Sequence, residues 1–367
     1  MTENELLAVL ALQNVPNIGS TIAKKLIAHC GSAEAVFKEK RKILSKINGI
    51  GQFALQGLHD QVHFDAAELE LRFIKDEKVR VHYFLEDNYP RNLKHCIDGP
   101  ALLFSKGHIN LENKRIISIV GSRKATNYGL AFCDELVEML LPYNPVIVSG
   151  FAYGIDIAAQ KAALNHNLQT IGCLAHGLNQ IYPKAHSKYV NAVENHGGFF
   201  TDFWSTDVFD RNNFLKRNRI IAGLSEATIV IESAEKGGSL VTADIANSYD
   251  RDVFALPGRA SDNQSKGCNN LIKTQQAHLL SNPLDVPYIL GWQLEPEQKP
   301  SIQKKMFVEL NPEERVVFNF LKNQDKEQLD VIAIKCNIPT FKLAGILLNM
   351  ELKGVVRPLP GKQFQLI

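Results

Sequence analysis

Five short apolar runs constrain this chain more than anything else in it: RIISIV (115–120), PVIVS (145–149), TIGCLA (170–175), ATIVIE (227–232) and DVFALP (252–257). They are rich in β-branched residues and scarcely alternate, which is the pattern of strands covered on both faces. Between them lie the helical stretches YGLAFCDELVEMLL, GIDIAAQKAALNH, HSKYVNAVENH and SLVTADIANSYD. Strands alternating with helices predict an α/β fold of the extended Rossmann, doubly wound type with a mainly parallel sheet. Ligands on such sheets bind beyond the carboxyl ends of the strands.

The sheet region spans residues 86–291, and two other blocks flank it. Residues 1–85 read as helical. Within them VPNIGSTIAKKLIAH (15–29) and INGIGQFALQGL (47–58) share one pattern, an apolar residue, a turn ending in Gly, and an apolar helix. Gly49-Ile50-Gly51 is the full helix-hairpin-helix turn and Asn17-Ile18-Gly19 a variant, Asn being able to visit the left-handed region. A helix-hairpin-helix, SAM-like module is expected. Its turns could offer backbone N–H groups to a phosphate, or the module could serve packing alone. Only Lys24, Lys25 and Lys46 lie near the turns. On the other side a polar linker, 292–305, carries Pro296 and Pro300. Residues 306–367 then read as three helices and a terminal hairpin, a winged helix, opening with Asn311 as N-cap and Pro312 at the first helical position. Its recognition helix carries only Lys342 and Lys353 with Glu351 between, which suits protein contact at least as well as DNA contact.

A chain of 367 residues suggests two or three domains. Its 45% hydrophobic content is enough for a sizeable core. The net charge of +2 means that any nucleic-acid surface must be a local patch. None of the six cysteines is in a C-x-x-C spacing, which argues against a structural zinc site and fits a reducing cytosol. The start, MTENELLAVLALQNVP, reads as a helix and not a signal peptide, and no apolar run has the roughly 18 residues of a membrane span. A cytoplasmic protein without a membrane span is expected.

Each strand is followed by a loop of Gly, Ser or basic residues. The first loop brings Gly121, Ser122, Arg123 and Lys124, with positive charge at a helix N-terminus. The second brings Gly150, Phe151 and Gly154, and the third Lys184 just past Tyr182-Pro183. The stretch FLKRNRIIAGLSEATIVIESAEKGGSLVTADIA supplies Phe214, Arg217, Asn218 and Arg219 on one side and Gly237, Gly238 and Ser239 on the other. Converging on one sheet edge, these loops would make a broad anion surface. Exposed aromatics beside it (Phe151, Tyr153, Tyr182 and Phe214) would suit base stacking, or they could plug the core. Arg219 could equally pair with Asp202 and fix a loop. No catalytic constellation is visible. His59 and His63 lack a third metal ligand, His176 and His186 flank a loop without a nucleophile elbow, and no Walker motif is present. No cofactor or metal is expected.

VGSRKATNYG, VSGFAYGID, GLNQIYPKAH, FLKRNRIIAGLS and EKGGSLVTADIA together resemble the DprA (Smf) family of bacterial DNA-processing proteins, and VFALPG and GCNNLI extend the match. The resemblance covers about residues 85–285 densely and fits both flanking blocks. It implies sequence-independent binding of single-stranded DNA, without nuclease or nucleotide hydrolysis. It also implies a dimer that protects incoming strands and loads the RecA recombinase in transformation. It implies that Arg123 and Lys184 contact DNA, and that Arg217 to Arg219 and Gly237 to Ser239 line the pocket. GCNNLIKTQQAHLL departs from the family where a histidine usually precedes Leu-Ile, in a region that carries dimer contacts in relatives. From the residues themselves, Leu271, Ile272 and Leu279 are apolar in a polar stretch beside a predicted edge strand. They are expected either at a homodimer interface or in the domain's own core.

Two other functions compete with this one. LOG-type nucleotide phosphoribohydrolases carry P-G-G-x-G-T-x-x-E where this chain has Lys236 to Asp244. Gly237 and Gly238 match, but Lys236, Leu240 and Asp244 depart from it. A protein-interaction scaffold is the third class.

Overall fold

The computed structural model describes residues 1–294, 310–322, 324, 326–359 and 361–366. Two compact units divide the chain, Met1–Leu294 and Glu295–Ile367. Most of the linker expected at 292–305 lies outside the described residues. Trp292 does not: it is tied to the first unit, with its indole N–H on Glu226 at 3.4 Å and the Arg115 guanidinium over its ring.

The first unit opens with five helices, α1 (Glu3–Asn14), α2 (Ser20–Cys30), α3 (Ala33–Lys38), α4 (Arg41–Leu44) and α5 (Gln61–Asp76). Thr2 and Ser32 cap α1 and α3 by accepting from backbone N–H groups. Asn17 and Gly49 adopt positive φ, 68° and 82°, at the two hairpin turns. The second hairpin differs from expectation: a single 3-10 turn, Gln52–Leu55, follows it, and no α-helix.

A nine-stranded sheet follows: β1 (Arg80–Tyr83), β2 (Leu102–Gly107), β3 (Ile116–Gly121), β4 (Val146–Ser149), β5 (Thr170–Cys173), β6 (Gly197–Thr201), β7 (Ala227–Ile231), β8 (Asp252–Ala255) and β9 (His278–Leu279). The order is β1-β2-β6-β5-β4-β3-β7-β8-β9. From β6 to β9 all pairs are parallel, while β1 and β2 add an antiparallel edge. The five predicted strands are all present. β1, β2 and β6 were not predicted, and β1 lies on the N-terminal side of the boundary expected at residue 85. One core joins Leu10, Leu26 and Leu55 of the helical module to Tyr83, Leu102, Phe104 and Trp204. The module and the sheet are therefore a single unit.

Helices cover both faces, which explains the strands' unbroken apolarity. Ile117, Ile119 and Ile229 pack on one side, under α7 (Asn127–Met139) and α8 (Ile155–Asn165). Ile116, Val120 and Val230 pack on the other, against α6 (Arg91–Lys94), α10 (Asn213–Leu224), α11 (Gly238–Ser248) and α12 (Lys266–Lys273). Two short helices, α9 (Val190–Asn195) and α13 (Asp285–Ile289), complete the unit. Leu271 of α12 is 3% exposed and belongs to the unit's own core, and Ile272 is partly buried against that core. Leu271 thereby takes the second of its two expected places, the domain's own core. Leu279 on the terminal strand is 50% exposed.

The second unit has the predicted winged-helix pattern. Asn311 and Glu314 form a reciprocal capping box at the start of α14 (Pro312–Leu321). α15 (Leu329–Cys336) and α16 (Thr340–Leu352) pack on it around Val317, Ile332, Leu347 and Met350. The hairpin strands β11 (Val356–Leu359) and β12 (Gln363–Leu366) are joined by a third, β10 (Glu327–Gln328). Lys342 pairs with Glu313 and Lys353 with Glu314, which uses both cations of the recognition helix within the unit. Among the described residues no single helix is long and apolar enough to cross a membrane.

Candidate nucleic-acid interface

The order of the sheet locates the site. The chain runs outward from β3 through β6, then returns to place β7 on the other side of β3. At such a reversal the loops after the two central strands splay to opposite faces and leave a crevice. A cleft of about 570 Å³ lies there, lined by Gly121, Ser122 and Arg123 after β3, by Ser233 and Gly237 to Ser239 after β7, and by one face of α10.

Close backbone approach builds its walls. A Cβ at Gly121 would sit 2.0 Å from the Ile231 carbonyl oxygen. At Gly154, where φ is 78°, it would sit 2.1 Å from that of Ser122. Only glycine lets these loops touch. Ser122 Oγ accepts from the Lys124 N–H at 3.0 Å and donates to Gln264 at 2.7 Å, and this shapes the first loop. Gly237 begins α11 without a side-chain cap, and space is open around Gly238. The helix therefore directs unsatisfied N–H groups and its positive end into the cleft.

Helix α10 forms the opposite wall with Phe214, Leu215, Arg217, Asn218 and Ile221. Phe214, Arg217, Asn218 and Ile221 follow the 3.6-residue period. Arg217 is 3% exposed, with Nη1 donating to the Gly150 carbonyl at 2.6 Å and to that of Cys173. It lies beside buried Asp156, whose carboxylate accepts from the Gly150 N–H at 3.1 Å. Burial pushes the Asp156 pKa up, against the opposing pull of the Arg217 charge. Arg217 thus reaches the cleft floor but is held by the frame. Arg219 does not face the cleft: it pairs with Asp202 and donates to the Asp98 carbonyl. That corrects its expected place in the pocket and selects the structural alternative.

Other predicted residues divide similarly. Phe151 is 0% exposed and packs edge-on against Phe199 at 5.0 Å, so it is a core residue and cannot stack on a ligand. Gly150 is buried under Arg217. Lys124 and Lys184 are exposed outside the cleft lining, Lys184 opening the 3-10 turn Lys184–Tyr189. Arg123 is exposed on the rim, with its guanidinium 4.9 Å from the centre of the Phe214 ring. Neither Arg123 nor Lys184 is in an ion pair among the described residues.

Sequence reasoning missed Phe209 and Arg211, which also line the cleft. Phe209, Tyr182 and Phe214 form an aromatic cluster with centroids 4.7–5.8 Å apart. The signal was legible in FDRNNFLKR, which interleaves aromatic and basic residues from Phe209 onward. Elsewhere, His176 is buried; its Nε2 accepts from the Tyr182 N–H at 3.2 Å and burial holds its pKa down, so it braces the third loop as a neutral ring. His186 is buried against the Phe151 carbonyl, and His63 against Asn14. His59 contacts the Phe37 carbonyl. Asp244 is exposed and absent from the cleft wall, which leaves the phosphoribohydrolase reading without its acid.

The fold and this cleft define a Rossmann-type protein whose cleft has a basic, partly aromatic rim, with a winged-helix unit. The family model for DNA recombination-mediator protein A matches residues 80–290, and that for the DprA winged helix domain matches 308–362. The chain belongs to the DNA recombination-mediator protein A (DprA/Smf) family. It is 35% identical to protein Smf of Escherichia coli over 74% of each chain. It is 36% identical to DNA processing protein DprA of Streptococcus pneumoniae over 60% of this chain and 77% of that one. The S. pneumoniae DprA structure superposes with a TM-score of 0.66 at 31% identity, covering 78% of this chain and 98% of that one. DNA processing protein A of Helicobacter pylori, whose structure concerns its single-stranded DNA binding mode, gives 0.52 at 28% identity, covering 58% and 95%.

Proposed function

We propose that this protein binds single-stranded DNA without sequence preference, as a homodimer, and that it protects incoming strands and loads the RecA recombinase onto them in transformation. One observation carries the DNA reading. The open N-terminus of α11, the exposed cations Arg123 and Arg211, and the cluster of Tyr182, Phe209 and Phe214 meet in one cleft. Phosphates suit the helix end and the cations, and unpaired bases suit the rings. Binding of this kind requires no reaction. Lys184, exposed on a neighbouring loop, extends the contact beyond the cleft. The family membership and the H. pylori relative support the same ligand. The dimer contact falls to the sheet edge around Leu279.

The test is a salt titration of oligothymidine binding. Arg123→Ala with Lys184→Ala should weaken binding to all sequences alike and flatten the slope of log affinity against log salt by roughly 1.4, about 0.7 for each phosphate no longer neutralised. The melting temperature should stay nearly unchanged, because both side chains are exposed. An unchanged slope with a lower melting temperature would remove both residues from the site.

A further inference from the structure

A second basic surface lies on the helical module. Residues 38–46 contain Lys38, Lys40, Arg41, Lys42 and Lys46 against a single acid, Glu39, in a chain whose net charge is only +2. All five cations are exposed, around the short helix α4. Tertiary structure adds a sixth: Lys25, from α2, reaches the second hairpin turn with Nζ 3.4 Å from the Asn48 carbonyl oxygen. Little of this charge is neutralised locally. Lys38 approaches Glu34 at 3.9 Å, Arg41 donates to His59 at 3.3 Å, and the Glu39 carboxylate is turned onto the Lys40 N–H at 2.8 Å. Among the described residues no acid lies within ion-pairing distance of Lys40, Lys42 or Lys46. Beside them Phe53 is 69% exposed, and Ile43 is exposed as well.

An ordinary solvated face mixes both signs. Helix α5 of the same module does so, carrying Asp65, Glu68, Arg72 and Lys75. The patch around α4 does not, and the core beneath needs only Leu44, Ile50 and Leu55. Mutual repulsion among these cations costs stability unless a polyanion meets them. Lysines are compact point charges that meet phosphates without reading bases, and an exposed ring beside them accepts an unpaired base.

We propose that the surface formed by Lys25, Lys40, Arg41, Lys42 and Lys46, with Phe53 at its edge, is a second nucleic-acid contact that binds the phosphate backbone separately from the sheet cleft. It extends the single-strand reading of that cleft but stands on its own charges. The test uses the full chain with Lys40→Gln, Lys42→Gln and Lys46→Gln combined. Three probes are compared by anisotropy: an oligothymidine of about 6 nucleotides, short enough to occupy the cleft alone, one several times longer, and a duplex of the longer length. The triple variant should bind the long strand at least about tenfold more weakly, with the salt slope flattened by roughly 2, at about 0.7 per phosphate. Short-strand binding and the thermal melt should not change. Equal losses on long strand and duplex assign the contact to the backbone alone. A loss confined to the long strand, reproduced by Phe53→Ala, assigns it to backbone plus stacking. Unchanged long-strand and duplex binding overturns the proposal, and so does an equal loss on the short strand. Failure of the cleft reading looks different: the unsubstituted chain would not bind the short strand at all, while loss of long-strand binding in the triple variant would still be seen.

Discussion

Arg217→Ala should melt well below the unsubstituted chain, and the gap should narrow as the pH falls. The guanidinium is buried and holds the carbonyls of Gly150 and Cys173, the ends of two adjacent strand-loop junctions. Removing it leaves those acceptors unsatisfied and leaves the Asp156 carboxylate buried without its compensating charge. Each lost hydrogen bond from a charged donor costs about 1.5–3 kcal/mol, and the loss of the longer-range attraction between the Arg217 and Asp156 charges adds to it. In a unit of this size that is about 5–10 °C in melting temperature. The sign of the pH effect follows from Asp156. Burial already raises its folded pKa above the 3.8 of a free side chain, with Arg217 opposing the rise. A carboxyl with a raised folded pKa binds its proton more tightly in the folded state. Stability is then greatest below the unfolded value and is lost as the pH climbs through the folded one. Without Arg217 that folded value moves up, so the deficit should be larger at neutral pH than near the unfolded carboxyl range. Thermal melts across this window check it, and Asp156→Asn in the Arg217→Ala background should restore part of the loss and abolish its pH dependence. A deficit that grew on acidification would show that the two side chains are not coupled in this way.

Leu271→Glu should unfold the first unit, while Leu279→Glu should leave it folded. Leu271 sits in the core formed with Val230, Ala255 and Cys268, so the change removes a buried leucine and puts a carboxylate in its place. The missing packing alone is worth about 2–5 kcal/mol, and an uncompensated buried charge adds to it. Leu279 is half exposed on the terminal strand, where such a change costs about 0.5 kcal/mol or less. Melting curves separate the two variants, and light scattering on Leu279→Glu reads the assembly. A folded monomer, beside a dimer for the unsubstituted chain, would assign the proposed homodimer contact to the β9 edge. A dimer that persists places the contact elsewhere, and a stable Leu271→Glu would contradict the packing of α12.

The central sheet was legible because its strands are covered on both faces, so that each run had to be apolar throughout. β1 and β2 were not, because they lie at the antiparallel edge and include polar residues such as Arg80, His82 and Lys106. β6 begins with two glycines, Gly197 and Gly198, which read as a turn. The loops carrying the cleft were legible too, since Gly, Ser and basic residues recur after every central strand. Helical periodicity groups Phe214, Arg217 and Asn218 on one face of α10 and turns Arg219 away from them. Its partner Asp202, beyond β6, was visible only as one of two choices until the chain folded. Phe151 had the same composition-level claim to stacking as Phe214. Only the packing of Phe199 beneath it decided that it would be core. The basic surface on the helical module shows the same limit. Its run of lysines is local and could be counted, but Lys25 joins it across 23 residues, by the docking of one hairpin on another. Local chemistry and period are written along the chain. Which side chains share a space depends on contacts between distant segments, and those are made only when apolar faces close on each other and exclude water.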